Sequence, residues 1–326
     1  MNEEISVAVC IVTYNQEKYI QQAIESALEQ QSQYPIDIIV GDDCSTDKTG
    51  DIVRAMANEH KQVHYLRTET NQGVVANTYQ VMKYIFSHGY TYTAMLDGDD
   101  YWMDPSKIQM EVEYLQAHLE CSFVYTRTHT LTSGRLSSPA WGGAEGDVFH
   151  TPKIREMGLP NLTILHRTKL LETIPWDKFI ERNLLSCDYA TNVCMASLGE
   201  VGFIDKFTAV YRREGNTVTT PKEKQKAKAI IRHQMSLSKL LSETFPNAPI
   251  AETDEERREL ELWMNYEWSL AFKDYEWLSR TIHEKDFPSK RLDNRDERKF
   301  IGNKWSFTLY VYGLRKVRTL LRKIGI

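Results

Sequence analysis

Residues 6–119 alternate between short β-branched runs and longer stretches with an apolar residue at every third or fourth position. Ser6 to Val12 (SVAVCIV) is a continuous run of the kind found in strands buried on both faces, and it ends in Thr13-Tyr14-Asn15. Tyr19, Ile20, Ala23, Ile24, Ala27 and Leu28 then recur at helical spacing and give one buried stripe. Ile36 to Val40 predicts a second strand, delivering Gly41 to Asp47 into a turn, with Asp47 as the N-cap of a helix starting near Lys48. Val63 to Leu66 and Tyr92 to Leu96 read as further strands, and Val74 to Phe86 and Pro105 to Leu119 as helices. This alternation calls for an α/β fold, a mostly parallel sheet with helices on both faces. In such a sheet ligands bind beyond the carboxyl ends of the strands, where Tyr14, Asp42, Asp43 and the acidic residues after Leu96 all fall.

Beyond Ser122 the pattern loosens. Phe123 to Thr130 predicts a strand, Ser133 to Gly146 a loop containing Trp141, and Leu159 to His166 another strand or turn. Leu184 to Leu198 has helical spacing with Asp188 near its start, and Val201 to Ile204 with Phe207 to Tyr211 read as a short strand pair. From Pro221 the composition turns helical and charged. Its segment Leu260 to Leu278 carries Trp263, Tyr266, Phe272 and Tyr275, suited to packing on the first domain or to self-association. The expected division is a ligand-binding domain over 1–220 and a C-terminal helical region over 221–326.

With 326 residues the chain can bury a substantial core, and its net charge of −5 argues against nucleic acid as a partner. Five cysteines without C-x-x-C spacing suit reduced thiols in a cytoplasm. No charged-then-apolar leader and no bilayer-length apolar run is evident, which reads as a soluble or peripheral protein. Asn161-Leu162-Thr163 is a formal glycosylation sequon, without meaning in a cytoplasmic chain.

Tyr92 to Asp100 (YTAMLDGDD) ends an apolar run in three carboxylates within four residues. Two ionised carboxylates ~4 Å apart repel by roughly 4 kcal/mol at an effective dielectric of ~20, so Asp97, Asp99 and Asp100 must splay, protonate or share a cation. Gly98, lacking a Cβ, favours a turn tight enough for Asp97 and Asp99 to face one point, and hard oxygen ligands select Mg2+ or Mn2+ over zinc. A solvated acidic turn is the other reading of the same residues. A helix-loop-helix calcium site is excluded, because Tyr101 and Ile108 stand at the fifth and twelfth positions counted from Asp97. The turn after the first strand lacks G-x-G-x-x-G, which argues against an ordinary dinucleotide site.

Three segments in order, SVAVCIVTYNQEKYIQQAIESALEQ, IDIIVGDDCSTDKT and MLDGDDYW, resemble the family 2 inverting glycosyltransferases with the glycosyltransferase A-type fold, over roughly the first two thirds of the chain. The resemblance implies a nucleotide-diphosphate sugar as donor, UDP-linked by preference, and transfer of one sugar to a glycan or lipid-linked acceptor in cell-surface polysaccharide assembly. It places nucleotide contacts at Thr13, Tyr14, Glu17, Asp43, Asp97 and Gly98. Tyr14 would stack on the base, Asp43 would accept its N–H, Asp97 would reach the ribose, and Asp99 would ligate a diphosphate-bound Mn2+ or Mg2+. Asp188 would be the general base, with Arg212, Arg213 and Glu214 as diphosphate or acceptor contacts. Asp188 equally suits a plain helix N-terminal charge, and the two arginines suit surface salt bridges to Glu200 or Asp205. Where many members have Glu-Asp this chain has Cys187-Asp188, and where many have Tyr-Arg-x-His it has Tyr211-Arg212-Arg213-Glu214. The processive branch would call for membrane spans and a Gln-x-x-Arg-Trp segment, and neither is present. A sugar-phosphate nucleotidyltransferase and a non-catalytic scaffold that retains the fold are the alternatives.

The tail from Arg298 holds eight Lys or Arg and no Asp or Glu, leaving −13 on the rest of the chain (−5 minus 8). Phe307, Tyr310, Val311, Leu314, Val317, Leu320, Leu321 and Ile324 recur at helical spacing, so this tail predicts a basic amphipathic helix. Packing on preceding helices is one use. Peripheral binding to anionic lipid at the cytoplasmic face of the membrane is the other, and the charge favours it.

Overall fold

The computed structural model describes residues 4–138, 148–149, 159–213, 223–244 and 253–286. Val7–Thr13 forms β1, buried along its whole length as an uninterrupted apolar run requires. It lies between two parallel neighbours, β2 (Ile36–Asp42) and β4 (Tyr92–Asp97), and β2 carries β3 (Val63–Arg67) on its other side. The connecting helices are α1 (Ile20–Leu28), α2 (Thr49–Glu59) and α3 (Val74–His88). Register does the positioning: Thr13 pairs with Asp42, Val12 with Asp97, and Asp42 with Arg67, so three polar strand ends stand side by side.

β5 (Tyr101–Trp102), α4 (Lys107–Ala117), β6 (Cys121–Thr132), β7 (Arg135–Ser137) and β8 (Val148–Phe149) follow. A 3-10 turn (Asn161–Thr163) then leads into β9 (Ile164–Arg167), α5 (Thr168–Leu171), α6 (Trp176–Glu181), α7 (Asp188–Leu198) and β10 (Glu200–Arg212). The sheet runs β3-β2-β1-β4-β9-β6-β10-β5. β9 is antiparallel to both β4 and β6, β10 is parallel to β6, and β5 is antiparallel to β10, so the sheet is mixed, and the three polar strand ends belong to its parallel half. One face buries Val7, Val9, Ile11, Ile38 and Val40 with Ile20 and Ile24 of α1 and Ile108 and Val112 of α4. On the other face α3 packs on β1 and β2, close enough that a Cβ on Gly41 would meet Val81 Cγ2 at 2.4 Å.

The strand pair expected over 201–211 is instead one strand. β10 runs unbroken from Glu200 to Arg212 beside β6, with Phe203 opposite Tyr125 and Phe207 opposite Arg127, so three residues bulge against one. Asp205, which reads as a turn residue, sits in that bulge and is ion-paired with Arg127. That pairing also withdraws Asp205 as a partner for Arg212 or Arg213.

A second unit contains α8 (Lys224–Thr244), α9 (Asp254–Ala271) and α10 (Tyr275–Ile282). α9 opens with a capping box in which Thr253 and Glu256 satisfy each other's backbone N–H groups. The aromatic stretch 260–278 is split between two helices, because Lys273 adopts φ 55° and Asp274 starts α10 by accepting from Trp277 N at 3.1 Å. Tyr266 and Leu278 form a small core covered by Trp263, Leu270, Tyr275 and Ile282, so that apolar face is used within the unit. The basic tail, Trp141 and Glu214 lie outside the described residues. Among the described residues no helix is long and apolar enough to cross a membrane.

Candidate functional site

The loops that follow β1 and β2 are stitched together by side chains. Asn15, at φ 54°, donates its N–H to Ser45 Oγ (2.9 Å) and accepts from Thr46 N through Oδ1 (2.8 Å), while Gln16 N donates to Thr49 Oγ1 (2.8 Å). Asn tolerates this left-handed backbone because its short polar side chain bonds locally. Glu17 takes part in the same seam: its N–H reaches Asp47 Oδ2 (3.1 Å) and its carboxylate accepts from Lys48 N (3.0 Å). Asp47 accepts from Thr49 N at 2.9 Å, but α2 begins at Thr49 with Lys48 in the cap position, one residue later than expected.

Two adjacent aspartates at the end of β2 are used differently. Asp42 is wholly buried, ion-paired with Arg67, and accepts from Tyr65 Oη (2.8 Å) and Ser45 N (2.8 Å). Asp43 faces outward to a crevice and organises its far wall: Oδ1 accepts from Gln72 N (2.8 Å) and Thr68 Oγ1 (3.3 Å), and Oδ2 from Gly73 N (2.8 Å). Gly73 has φ 88° immediately before α3, a conformation that favours glycine.

At the end of β4 the carboxylates diverge. Gly98 N donates to Val12 O (3.1 Å), and a Cβ at Gly98 would stand 2.4 Å from Gln16 Oε1 and 2.9 Å from Thr13 Cβ. Glycine is therefore required by the close approach of the β1 loop, where the sequence suggested the tightness of the turn itself. Asp97 and Asp99 line the crevice together, but Asp100 turns inward, accepting from Arg212 N at 2.7 Å while its Oδ2 has no partner among the described residues. Of the three, Asp97 and Asp99 share the crevice and Asp100 splays away from it.

Among the described residues Asp97 has a single weak donor, Asn161 Nδ2 at 3.5 Å. Burial, then the charges of Asp99 and Asp188, push its pKa up to about 7 against the Asn161 bond. Burial also raises Asp99, opposed by hydrogen bonding from its own backbone N–H, the nearby Arg212 charge and the Gln16 side chain. Asp100 is raised well above the carboxylate range by burial and by the two neighbouring aspartates. Asp188 begins α7 and is exposed, near enough to Asp97 to repel it. Arg212 donates through Nη1 to Asp99 O at 2.6 Å, and Arg213 donates its N–H to Leu131 O at 2.8 Å.

The crevice has a volume of about 360 Å3 and is lined by Val12, Thr13, Tyr14, Gln16, Asp43, Asn71, Gly73, Val74, Asn77, Asp97 and Asp99. Of the sequence-derived candidates it brings together Thr13, Tyr14, Asp43, Asp97 and Asp99. Gly98 shapes the floor from behind, Glu17 faces α2, and Asp188, Arg212 and Arg213 stand outside the lining. Tyr14 is 45% exposed and Val74 44%, two apolar groups free to cover a flat ligand. Gln16, Asn71, Gly73, Val74, Asn77 and Asn161 were missed. A glycine just before a helix at the end of β3 marks the Asn71-Gln72-Gly73 turn in the sequence, whereas Asn161 gives no signal beyond its sequon.

Among the described residues no three His, Cys, Asp or Glu side chains are grouped to hold a metal ion. Two hard carboxylates on one crevice wall do fit Mg2+ or Mn2+ of the kind held by one or two side chains with substrate phosphates completing the shell. Asp99 is the better placed of the two, being on the crevice wall and less enclosed by like charge.

The sequence profile of glycosyl transferase family 2 matches residues 8–171. The uncharacterized protein Rv1520 of Mycobacterium tuberculosis is 28% identical over 216 residues, covering 65% of this chain and 60% of that protein, so the chain spans less than two thirds of this relative's length. Among solved structures, Staphylococcus aureus TarS 1-349 in complex with UDP-GlcNAc superposes with a TM-score of 0.61 at 17% identity, covering 94% of this chain and 89% of that one. The mannosyltransferase PcManGT from Pyrobaculum calidifontis, in complex with GDP-Man and Mn2+, gives 0.50 at 14% identity, with 97% and 88% covered. At these identities the likeness shows the fold, the glycosyltransferase A-type α/β sheet.

Proposed function

The chain belongs to glycosyl transferase family 2, and from that premise we propose that it moves one sugar from a nucleotide-diphosphate donor, UDP-linked by preference, to a hydroxyl acceptor by a single inverting displacement. The observation that carries this reading is the Asp97–Asp99 pair on the crevice wall, two buried carboxylates of which Asp97 is short of hydrogen-bond donors, beside the exposed ring of Tyr14. Carboxylates left in that condition gain most from a ligand that brings hydroxyls and a cation.

Tyr14 offers its face to the base. Asp43 already accepts from Gln72 N and Thr68 Oγ1 at Oδ1 and from Gly73 N at Oδ2, so Oδ2 keeps a lone pair for the N–H of a uracil-like ring. Asp97 accepts from the ribose hydroxyls, which relieves its shortage of donors. Asp99 would hold Mn2+ or Mg2+ against the donor diphosphate. The cation, when bound, neutralises the charge developing on the departing diphosphate. Asp188 takes the proton from the acceptor hydroxyl as that oxygen attacks the anomeric carbon, its exposure at the start of α7 leaving it open to an incoming glycan. UDP as donor is supported by the likeness of Tyr14 and Asp43 to the family pattern and by the UDP-GlcNAc bound to TarS.

Calorimetry with UDP tests the reading. The expected result is at least tenfold tighter binding with Mn2+ than with chelator, and loss of that difference in a folded Asp99→Ala variant. Equal affinities in all four conditions would overturn it. The acceptor side rests on the tail beyond Arg298, whose charge supports a lipid-linked acceptor at an anionic membrane. Flotation with anionic vesicles, comparing the whole chain with one cut after Glu297, separates that membrane role from mere packing.

A further inference from the structure

Arg212, the last residue of β10, is half-buried and bonded to three parts of the chain beside the crevice. Its Nη1 donates to Asp99 O at 2.6 Å, its Nη2 donates to Gln22 Oε1 of α1, and its backbone N–H donates to Asp100 Oδ1 at 2.7 Å. The guanidinium carbon lies 4.6 Å from the Tyr101 ring centroid and 5.0 Å from that of Tyr19. A planar fork committed to two oxygens and set against two rings cannot offer the same fork to a diphosphate without breaking those contacts.

We propose that Arg212 is a positioning residue: by holding the Asp99 carbonyl and the Asp100 carboxylate it fixes the peptide between them, and so aims the Asp99 side chain into the crevice. This rests on the reading of Asp99 as the holder of the donor's cation. Gly98 leaves the turn without a side chain of its own to hold it, since the space there is taken by Thr13 and Gln16. The turn is instead locked from outside, by Gln16 against Asp99 on the β1 side and by Arg212 on the β10 side. Arg212 therefore couples α1, the Asp97–Asp100 turn and β10.

Lysine separates this role from a counter-charge role, since it keeps the charge but has neither fork nor planar stacking. The probes are UDP and Mn2+, read by calorimetry and by the electron spin resonance of bound Mn2+, with thermal melting to confirm folding. Arg212→Lys and Arg212→Met are both expected to weaken UDP binding in Mn2+ by tenfold or more, and to leave UDP binding in chelator within twofold of the parent. Gln22→Ala, an exposed change on α1 that does not threaten the fold, is expected to lose two- to fivefold in the same Mn2+-dependent quantity. The proposal is overturned if Arg212→Lys retains parental Mn2+-dependent affinity, or if Arg212→Met loses as much affinity in chelator as in Mn2+, which is the signature of a direct phosphate contact. It is overturned equally if melting falls in the variants while both affinities stay at the parental level. If the parent itself binds UDP without regard to Mn2+, the cation reading of Asp99 fails first and takes this proposal with it.

Discussion

Asp42 and Asp97 occupy equivalent places. Each ends a parallel strand paired to β1, opposite Thr13 and Val12 respectively, and neither can be distinguished from the other by strand context. Their surroundings are opposite. Asp42 has an ion pair with Arg67, a tyrosine hydroxyl and a backbone N–H, and is sealed from solvent. Asp97 has one amide at 3.5 Å and two repelling carboxylates. A carboxylate whose charge is fully met by the protein is part of the scaffold, and one whose charge is left unmet stores a preference for whatever ligand supplies donors or a cation.

The largest effect is expected at Asp188, the outermost of the charges bearing on Asp97. Asp188→Asn should lower transfer by 10²- to 10⁴-fold, roughly 3 to 5 kcal/mol of transition-state stabilisation, while UDP binding persists. The same change should bring the titration of Asp97 down from about 7, because one of the charges that raises it has gone. Carboxyl NMR of labelled Asp reads this, and an unmoved Asp97 would detach Asp188 from the site.

Next comes the scaffold side of the comparison. Asp42→Ala strands Arg67, Tyr65 Oη and Ser45 N, and should cost about 3 kcal/mol, lowering Tm by roughly 6–12 °C. Binding of UDP by the folded protein should change less than threefold. If Asp42→Ala is harmless to stability but abolishes binding, Asp42 belongs to the site and not to the scaffold.

Asp97→Asn should move stability the other way. The folded protein holds the Asp97 proton to about pH 7, against an ordinary 3.8, so its favourable contribution is complete below 3.8 and is lost as pH rises through 7. Without cation, Asn at this position should therefore raise stability at pH 8 by about 1–3 kcal/mol and flatten the fall between pH 4 and 7, even as transfer is lost. Denaturant titrations at several pH values decide it; parallel curves for the two proteins would show that Asp97 is ionised at no cost in the fold. Smallest is the control. Asp51 and Arg54 form a 2.9 Å pair on the exposed face of α2, and Asp51→Ala should change stability by no more than about 0.5 kcal/mol.

The parallel half of the fold was legible because burial on both faces demands unbroken apolar runs, as in Val7–Thr13, and because crossover helices demand their own stripe, as in α1. The order of the remaining strands was not. β10 reads as two strands because Asp205-Lys206 carries turn chemistry, and only the Arg127 ion pair across from it reveals a bulge. Likewise Tyr14, Asp43, Asp97 and Asp99 were found from strand ends and family likeness. Asn161 comes from a distant segment with no pattern of its own, and reaches Asp97 only because β9 pairs with β4.

What the sequence alone determined is the strands and helices of the parallel half and the carboxyl-end location of the acidic residues, since periodicity and turn chemistry are local and survive without knowledge of partners. What only the tertiary structure decided is which of those acids is satisfied. Asp42 draws its compensation from β3, Asp100 from β10, Asp43 from the start of α3, and Asp97 almost none, and each of these partners lies 23 or more residues away along the chain. Electrostatic energy depends on distance in space and on exclusion of water, neither of which a linear pattern records.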